Sequence, residues 1–144
     1  MPFKVYSWVG LKKEKYKNAG DIEYDDSVQQ LFFVREILSN DEYVCDYYEG
    51  ENHIRNHYIA QLNSENCENK EVKATFNIRE YYPDTARFVD NPRVFNSIAE
   101  IEEAITNNEI KTPLYSIWKI SIFCDSDCRA LGIDPAAPWP PKAA

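Results

Sequence analysis

The segment "SVQQLFFVREIL", residues 27–38, decides the fold, because its secondary structure fixes how the flanking segments can pack. Its apolar residues recur at the three- and four-residue spacing of one helix face. Ser27 and Gln30 fit a capping box, in which each side chain accepts a hydrogen bond from a free backbone amide. The segment therefore predicts a helix over residues 27–38, with these residues at helical spacing: Val28, Leu31, Phe32, Arg35 and Leu38.

Strands are predicted on both sides of this helix. Residues 3–9, 42–48 and 72–79 are rich in aromatic and β-branched residues, and the third segment alternates strictly between apolar and polar residues. Residues 53–62 follow a turn-forming "EGEN" and also favour a strand, with a helix as the alternative. Residues 114–123 are apolar on both faces, which is typical of a central strand covered on both sides.

A second helix is predicted over residues 97–105, where Ser97 and Glu100 form another capping box. A long loop over residues 81–95 precedes it. The resulting order, β-α-β-β-β-α-β, predicts an α+β fold with an antiparallel sheet of four to five strands. Both helices would pack on one face of that sheet, in a ferredoxin-like order. We expect one domain over residues 1–128 and an extended Pro-rich tail over residues 129–144, because proline lacks the donor that a helix or ladder needs.

The composition predicts a cytoplasmic protein without a membrane anchor. The chain of 144 residues has no apolar run near the ~20 residues that span a bilayer, and its start lacks the apolar core of a secretory signal. In a reducing compartment we expect free thiols at all four cysteines, which are Cys45, Cys67, Cys124 and Cys128.

Charge is distributed unevenly along the chain. The net charge is −8, and residues 21–51 hold ten carboxylates against a single cation, Arg35. Such a segment repels phosphates, which argues against general nucleic-acid binding, and attracts a basic protein surface. Tyrosines among the carboxylates could supply buried anchor area at an interface. The expected partner-binding residues are Tyr43, Asp46, Tyr47, Tyr48, Glu49 and Glu51; the alternative is that the tyrosines are core and the carboxylates a solvated face.

The pattern as a whole favours a protein-binding module over an enzyme. The four glycines of the chain form neither a phosphate-binding loop nor a dinucleotide fingerprint, and we expect no cofactor. Small acidic proteins of this kind include immunity proteins against toxic nucleases and virus-encoded blockers of host defence. We therefore expect an inhibitor that covers a basic site on another protein.

The two histidines, His53 and His57, raise the alternative of a metal site. On a helix their side chains would share one face and could chelate an ion. On a strand they would lie about 13 Å apart along one face, too far for one ion. With Cys124 and Cys128 they would complete a tetrahedral zinc set. If the segment is a strand, we expect His53, Arg55 and His57 to form a row on one face of the sheet, either a pH-sensitive patch or one that contacts anions.

A third alternative is a metal-dependent nuclease. Asp46 on one strand, followed by Glu71 and Lys73 on another, resembles the core of restriction nucleases. The resemblance implies that the two carboxylates hold Mg²⁺ and that the lysine assists the nucleophile. The chain departs from that pattern, since Asp46 lies one strand too early.

A fourth alternative is a small-molecule site that binds a nucleotide or a phosphate. The predicted loop over residues 81–95 could form a cleft lined by Tyr81 and Tyr82. Arg87 and Arg93, from the same loop, could pair with the anionic group.

Overall fold

The computed structural model describes residues 3–12, 18–19 and 22–140, and these residues form mostly antiparallel strands with two helices. The chain divides into two compact units, residues 1–71 and 72–144. A compact unit need not be an independent domain, so the single domain expected over residues 1–128 stays a prediction.

The first unit is built from strands alone. A five-stranded antiparallel sheet has the order β6-β5-β4-β1-β7, and β2 pairs with β3 in a separate two-stranded ribbon. The strands are β1 (Trp8–Leu11), β2 (Asn18–Ala19), β3 (Ile22–Glu23), β4 (Gln30–Ser39), β5 (Glu42–Glu49), β6 (Asn52–Gln61) and β7 (Cys67–Asn69).

The main hydrophobic cluster of the first unit packs on one face of the five-stranded sheet, and Leu31 and Phe33 are buried on the opposite face. The side chains of the cluster come from the sheet strands and from the flanking segments, and the largest are aromatic. β4 is the central strand, and its residues from Leu31 to Val34 have no exposed surface. A strand buried on both faces reads as a continuous apolar run, as "LFFV" does here. The cluster includes Val9, Phe32, Val34, Tyr43, Cys45, Tyr47, Ala60, Leu62 and Cys67.

The helix predicted over residues 27–38 is wrong, because this segment forms β4. The pairing with β5 shifts between Val34 and Glu36, so Arg35 is the extra residue of a β-bulge. The bulge places Val34 and Ile37, three residues apart, against the same core. A bulged strand thus imitates the spacing of a helix face. Gln30, expected to cap a helix, donates its side-chain amide to Tyr47 instead.

The first strand is shorter than the predicted segment 3–9. It begins at Trp8, and residues 3–7 form a turn in which the Ser7 amide donates to the Lys4 carbonyl. Tyr6 has a φ of 67°, outside the extended region of a regular strand, and this conformation ends the alternation.

The second unit combines a three-stranded sheet with two helices. The antiparallel sheet has the order β10-β8-β9, and its buried face carries Phe76, Ile78 and Ile117. The elements are β8 (Ala74–Tyr82), β9 (Arg87–Asp90), α1 (Ile98–Thr106), β10 (Tyr115–Ile122) and α2 (Asp125–Ala130).

Helix α1 confirms the prediction for residues 97–105. The Ser97 hydroxyl accepts a hydrogen bond from the Glu100 amide, and Ile101 and Ala104 are buried. The predicted ferredoxin-like order is wrong, however, because its first helix is a strand and both observed helices belong to the second unit.

Two further predictions for the second unit need correction. The long loop expected over residues 81–95 contains β9, which pairs with β8 as a hairpin. β10 was expected to be central and covered on both faces, but it is an edge strand of the three-stranded sheet. Its Trp118 lies at a register shift and is 50% exposed. In β10, apolar residues on both faces therefore do not indicate a covered central strand, because one of the aromatic side chains is exposed.

The chain after α2 is held by polar contacts to the second unit. The Trp139 indole donates to the carbonyls of Ala74 (3.1 Å) and Asn96 (2.8 Å), and its ring packs on Phe123. The Lys73 ammonium donates to the Pro135 carbonyl. The extended character expected for residues 129–144 stays a prediction, and residues 141–144 lie outside the described part.

Among the described residues, no helix is long and apolar enough to cross a membrane.

Replacing Ala86 by glycine should stabilise the protein. Ala86 closes the β8–β9 turn with a φ of 49°, in the left-handed region where a side chain is strained. Glycine adopts this φ without strain, so we expect the free energy of unfolding to rise by about 1 kcal/mol in denaturant titrations.

The matched control is Ala99→Gly in α1, at an exposed helical position. There glycine should lower the free energy of unfolding, because helices disfavour it. Destabilisation by both substitutions to the same degree would contradict the strained turn.

Candidate functional site

An acidic cleft of about 740 Å³ opens at one end of the first unit. Four carboxylates surround it, and they come from β3, the segment after β3, and the end of β5. No lysine or arginine is among its described lining residues, which are Ile22, Glu23, Tyr24, Asp25, Asp26, Gln30 and Glu49. The cleft therefore concentrates negative charge from segments separated in sequence.

The Gln30 side chain holds the wall of this cleft in place. It is 6% exposed, and its amide nitrogen donates to the Glu23 carbonyl (2.7 Å) and to the Tyr47 hydroxyl (3.0 Å). Its amide oxygen accepts from the Asp25 backbone amide at 2.8 Å. One buried side chain thus connects the segment after β3 to the central strands β4 and β5.

Tyr47 carries this connection onward to a carboxylate of the cleft. Its hydroxyl donates to Glu49 Oε2 at 2.9 Å. Burial, together with the hydrogen bond to Glu49, raises the pKa of Tyr47 well above its ordinary value, while the bond from Gln30 opposes this rise. The hydroxyl therefore keeps its proton at neutral pH and fixes the Glu49 side chain at the rim.

Asp25, another rim carboxylate, is held by two local hydrogen bonds. It accepts from the Ser27 hydroxyl (2.7 Å) and from the Ser27 amide (2.9 Å). These two bonds lower the pKa of Asp25, so its charge persists into mildly acidic solution.

The tyrosines expected at the partner interface are core residues instead. Tyr43, Tyr47 and Tyr48 are at most 3% exposed, so in this structure they offer no anchor area to a partner. The sequence left open whether these tyrosines are core residues or interface residues, and their burial shows that they belong to the core. Glu49 and Glu51 do reach the surface, and their role in partner binding stays a prediction.

Asp46 is buried as well, and it pairs with a cation inside the sheet. Its Oδ2 accepts from Arg35 Nε at 2.8 Å and lies 2.6 Å from the Arg35 Nη2. Arg35 is the bulge residue of β4, two positions after Phe33, which pairs with Asp46. The second oxygen, Oδ1, has no hydrogen-bond partner among the described residues, and the His53 Nε2 lies 3.9 Å from it. Asp46 is therefore a structural carboxylate rather than a surface contact.

The histidine segment is a strand, as predicted, which removes the helical chelate. Two register shifts interrupt the pairing of β6 with β5, and His57 has a φ of 54° at the second shift. His53 stacks on Tyr48, with ring centroids 4.7 Å apart.

The predicted row of His53, Arg55 and His57 on one face is wrong. His53 pairs with Tyr48, whereas Arg55 pairs with Tyr47. Since consecutive residues of β5 point to opposite faces, His53 and Arg55 do as well. The register shift between these two pairs causes this, because β6 has one residue between His53 and Arg55 whereas Tyr47 and Tyr48 of β5 are adjacent.

The predicted zinc set gains no geometric support from the described residues. Neither histidine belongs to a described group of three or more possible ligands. Cys124 is exposed and precedes α2, where its amide donates to Asp127, while Cys128 is fully buried. The set of His53, His57, Cys124 and Cys128 stays a prediction.

All four cysteines are free thiols. Burial raises the pKa of both Cys45 and Cys67 to about 12, so these two thiols stay protonated and unreactive at neutral pH.

Two residues of the nuclease-like pattern make other contacts. Asp46 is paired with Arg35, and Lys73 donates to Pro135. Glu71 and Lys73 precede β8 rather than lying on a strand, as the resemblance required. The arrangement gives no argument for a Mg²⁺ site.

The three arginines predicted to bind a ligand are in different surroundings. The Arg55 guanidinium lies 5.0 Å from the centre of the Tyr58 ring. Arg93 pairs with Glu109 at 3.0 Å and covers the Phe95 ring. Arg87 lines a separate cleft of the second unit together with Tyr82, as the sequence predicted. Tyr81 is not among the residues that line that cleft; its ring stacks on Phe88.

Comparisons of the chain with protein-family models, curated proteins and solved structures found no match. The functional assignment therefore depends on the geometry alone.

Removing the Asp46 charge should destabilise the protein. In Asp46→Asn the buried Arg35 contact loses its charged acceptor, and we expect the free energy of unfolding to fall by about 2 kcal/mol in denaturant titrations.

Asp90→Asn is the matched control. Its pair with Arg79 has a similar length, 2.7 Å, but both side chains are exposed. Because water screens this pair, we expect a change below about 0.5 kcal/mol. Equal losses in the two variants would show that burial of Asp46 does not strengthen its ion pair.

Replacing Gln30 by alanine should release the segment after β3. The Asp25 amide loses its acceptor, so its hydrogen exchange should accelerate by about tenfold, measured by NMR. The neighbouring Gln29 is exposed, and Gln29→Ala should leave the rate unchanged. Unchanged protection in Gln30→Ala would show that other contacts hold this wall.

Proposed function

We propose that this protein is a cytoplasmic protein-binding module, an inhibitor of the immunity or anti-defence type that covers a basic site on a partner protein. The acidic cleft of the first unit would receive lysine or arginine side chains from that site. The observation that carries the proposal is the convergence of Glu23, Asp25, Asp26 and Glu49 on one cleft, with no cation among its described lining residues.

The charge of the cleft would act mainly on the rate of association with the partner. Single ion pairs at an exposed rim contribute at most about 1 kcal/mol each, so four carboxylates do not by themselves make a tight complex. Clustered charge of one sign does accelerate the encounter with an oppositely charged surface, by 10-fold or more at low salt. The partner's affinity must then come from further contacts around the cleft.

The hydrogen-bond network favours a preformed site. Gln30 and Tyr47 hold the backbone and the Glu49 side chain before any partner arrives. A preformed rim lowers the ordering cost of association.

Neutralising two rim charges should slow partner association. We choose Glu23→Gln with Asp26→Asn, because both side chains are exposed. Affinity capture from the native host with mass spectrometry first identifies the partner. Stopped-flow measurements with the purified partner should then show association slowed by about tenfold at low salt, and a weaker dependence on ionic strength.

The control variant is Glu102→Gln with Glu103→Gln on α1, which removes the same charge from exposed positions in the second unit. Its association rate should match the wild type. Equal rates in all three proteins, or a captured partner without a basic surface, would contradict the proposal.

A further inference from the structure

A second cleft, of about 540 Å³, lies within the second unit and has the opposite charge character. It opens between the β8–β9 turn and residues 111–113, and Arg87 and Lys111 both line it. Its volume falls within the range of about 300–1,000 Å³ that is typical of small-molecule sites. The sequence pointed to Arg87, but Lys111 follows α1 and gave no signal.

Both cations of this cleft are unpaired within the part of the chain that the structure describes. Arg79 and Arg93, by contrast, form ion pairs with Asp90 and Glu109. Asp84 also lines the cleft and leaves it one net positive charge. The chain has a net charge of −8, and these two cations line one concave site, where an anionic ligand would pair with both.

The walls of the cleft are rigid and partly apolar. Pro83 and Pro113 contribute rings with little conformational freedom. The Tyr82 hydroxyl donates to the buried Glu80 at 2.6 Å, which fixes the orientation of the Tyr82 ring. The other Glu80 oxygen accepts from Asn91 at 2.9 Å. A flat ring could stack on these surfaces at a low ordering cost.

The segment that carries Lys111 is anchored as well. The Thr112 hydroxyl donates to the Tyr81 carbonyl at 2.9 Å and accepts from the Leu114 amide at 3.1 Å. Thr112 is 5% exposed, so these bonds are shielded from water. The backbone beside Lys111 is therefore held against β8, on one side of the cleft.

We propose that this cleft binds a small molecule in which one phosphate or carboxylate group is joined, directly or through a sugar, to a flat ring. Arg87 and Lys111 hold the anionic group, and the ring lies against Tyr82, Pro83 and Pro113. The acidity of the whole chain does not prevent this, because charges beyond about 8 Å are largely screened at physiological ionic strength.

Titration calorimetry with AMP, benzoate, adenosine and inorganic phosphate tests the proposal. We expect AMP or benzoate to bind more tightly than phosphate alone, and adenosine to bind weakly. Arg87→Ala and Lys111→Ala should each weaken binding of the anion by about tenfold. Binding by AMP alone identifies a phosphate ligand, and binding by benzoate alone identifies a carboxylate.

Lys119→Ala is the matched control, because Lys119 is an exposed lysine of β10 that does not line the cleft. It should bind like the wild type. NMR shifts confined to residues 82–89 and 111–113 would place the ligand. Absence of binding by both anions at millimolar concentration, or equal loss in Lys119→Ala, would overturn the proposal. Neither outcome bears on the acidic cleft, whose test uses other residues.

Discussion

The ion pair between Arg35 and Asp46 is the constraint on which the first unit depends. A buried carboxylate without a cation is strongly destabilising, so β4 and β5 must pair in a register that brings Arg35 to Asp46. In the observed register Asp46 pairs with Phe33, two residues before the bulged Arg35. The same register points Tyr47 toward Gln30 and the core, and Tyr48 toward His53. The acidic cleft is built on the Tyr47 side, so its geometry follows from the buried pair.

Local pattern predicted most strands and one helix of this fold. The strands near residues 42–48, 53–62, 72–79 and 114–123 are present, as is α1, because alternation and capping are local properties. The error at β4 has a physical cause. A β-bulge changes the side-chain period from two to three at a single point, and a period of three is also a helix signal. Sequence periodicity alone cannot separate these cases, and the error altered the whole expected topology.

The candidate sites were also predictable only in part, because the sequence shows where charge accumulates but not which way each side chain points. The excess of carboxylates over residues 21–51 was visible in the sequence, and four of them do surround one cleft. Which aromatic side chains join them was not visible, because the face that a strand residue occupies depends on register. Tyr43 and Tyr47 therefore belong to the core. Lys111 was missed for a different reason, since only tertiary structure brings it to the same cleft as Arg87.

The two register shifts of β6 have a consequence for the behaviour of the protein in solution. β6 is an edge strand of ten residues, and eight of them are exposed. A flat edge of that length would offer a row of free amides and carbonyls to another chain. The shifts interrupt that row, and the left-handed backbone at His57 turns it away from a straight line. Irregularity in this strand thus opposes edge-to-edge aggregation.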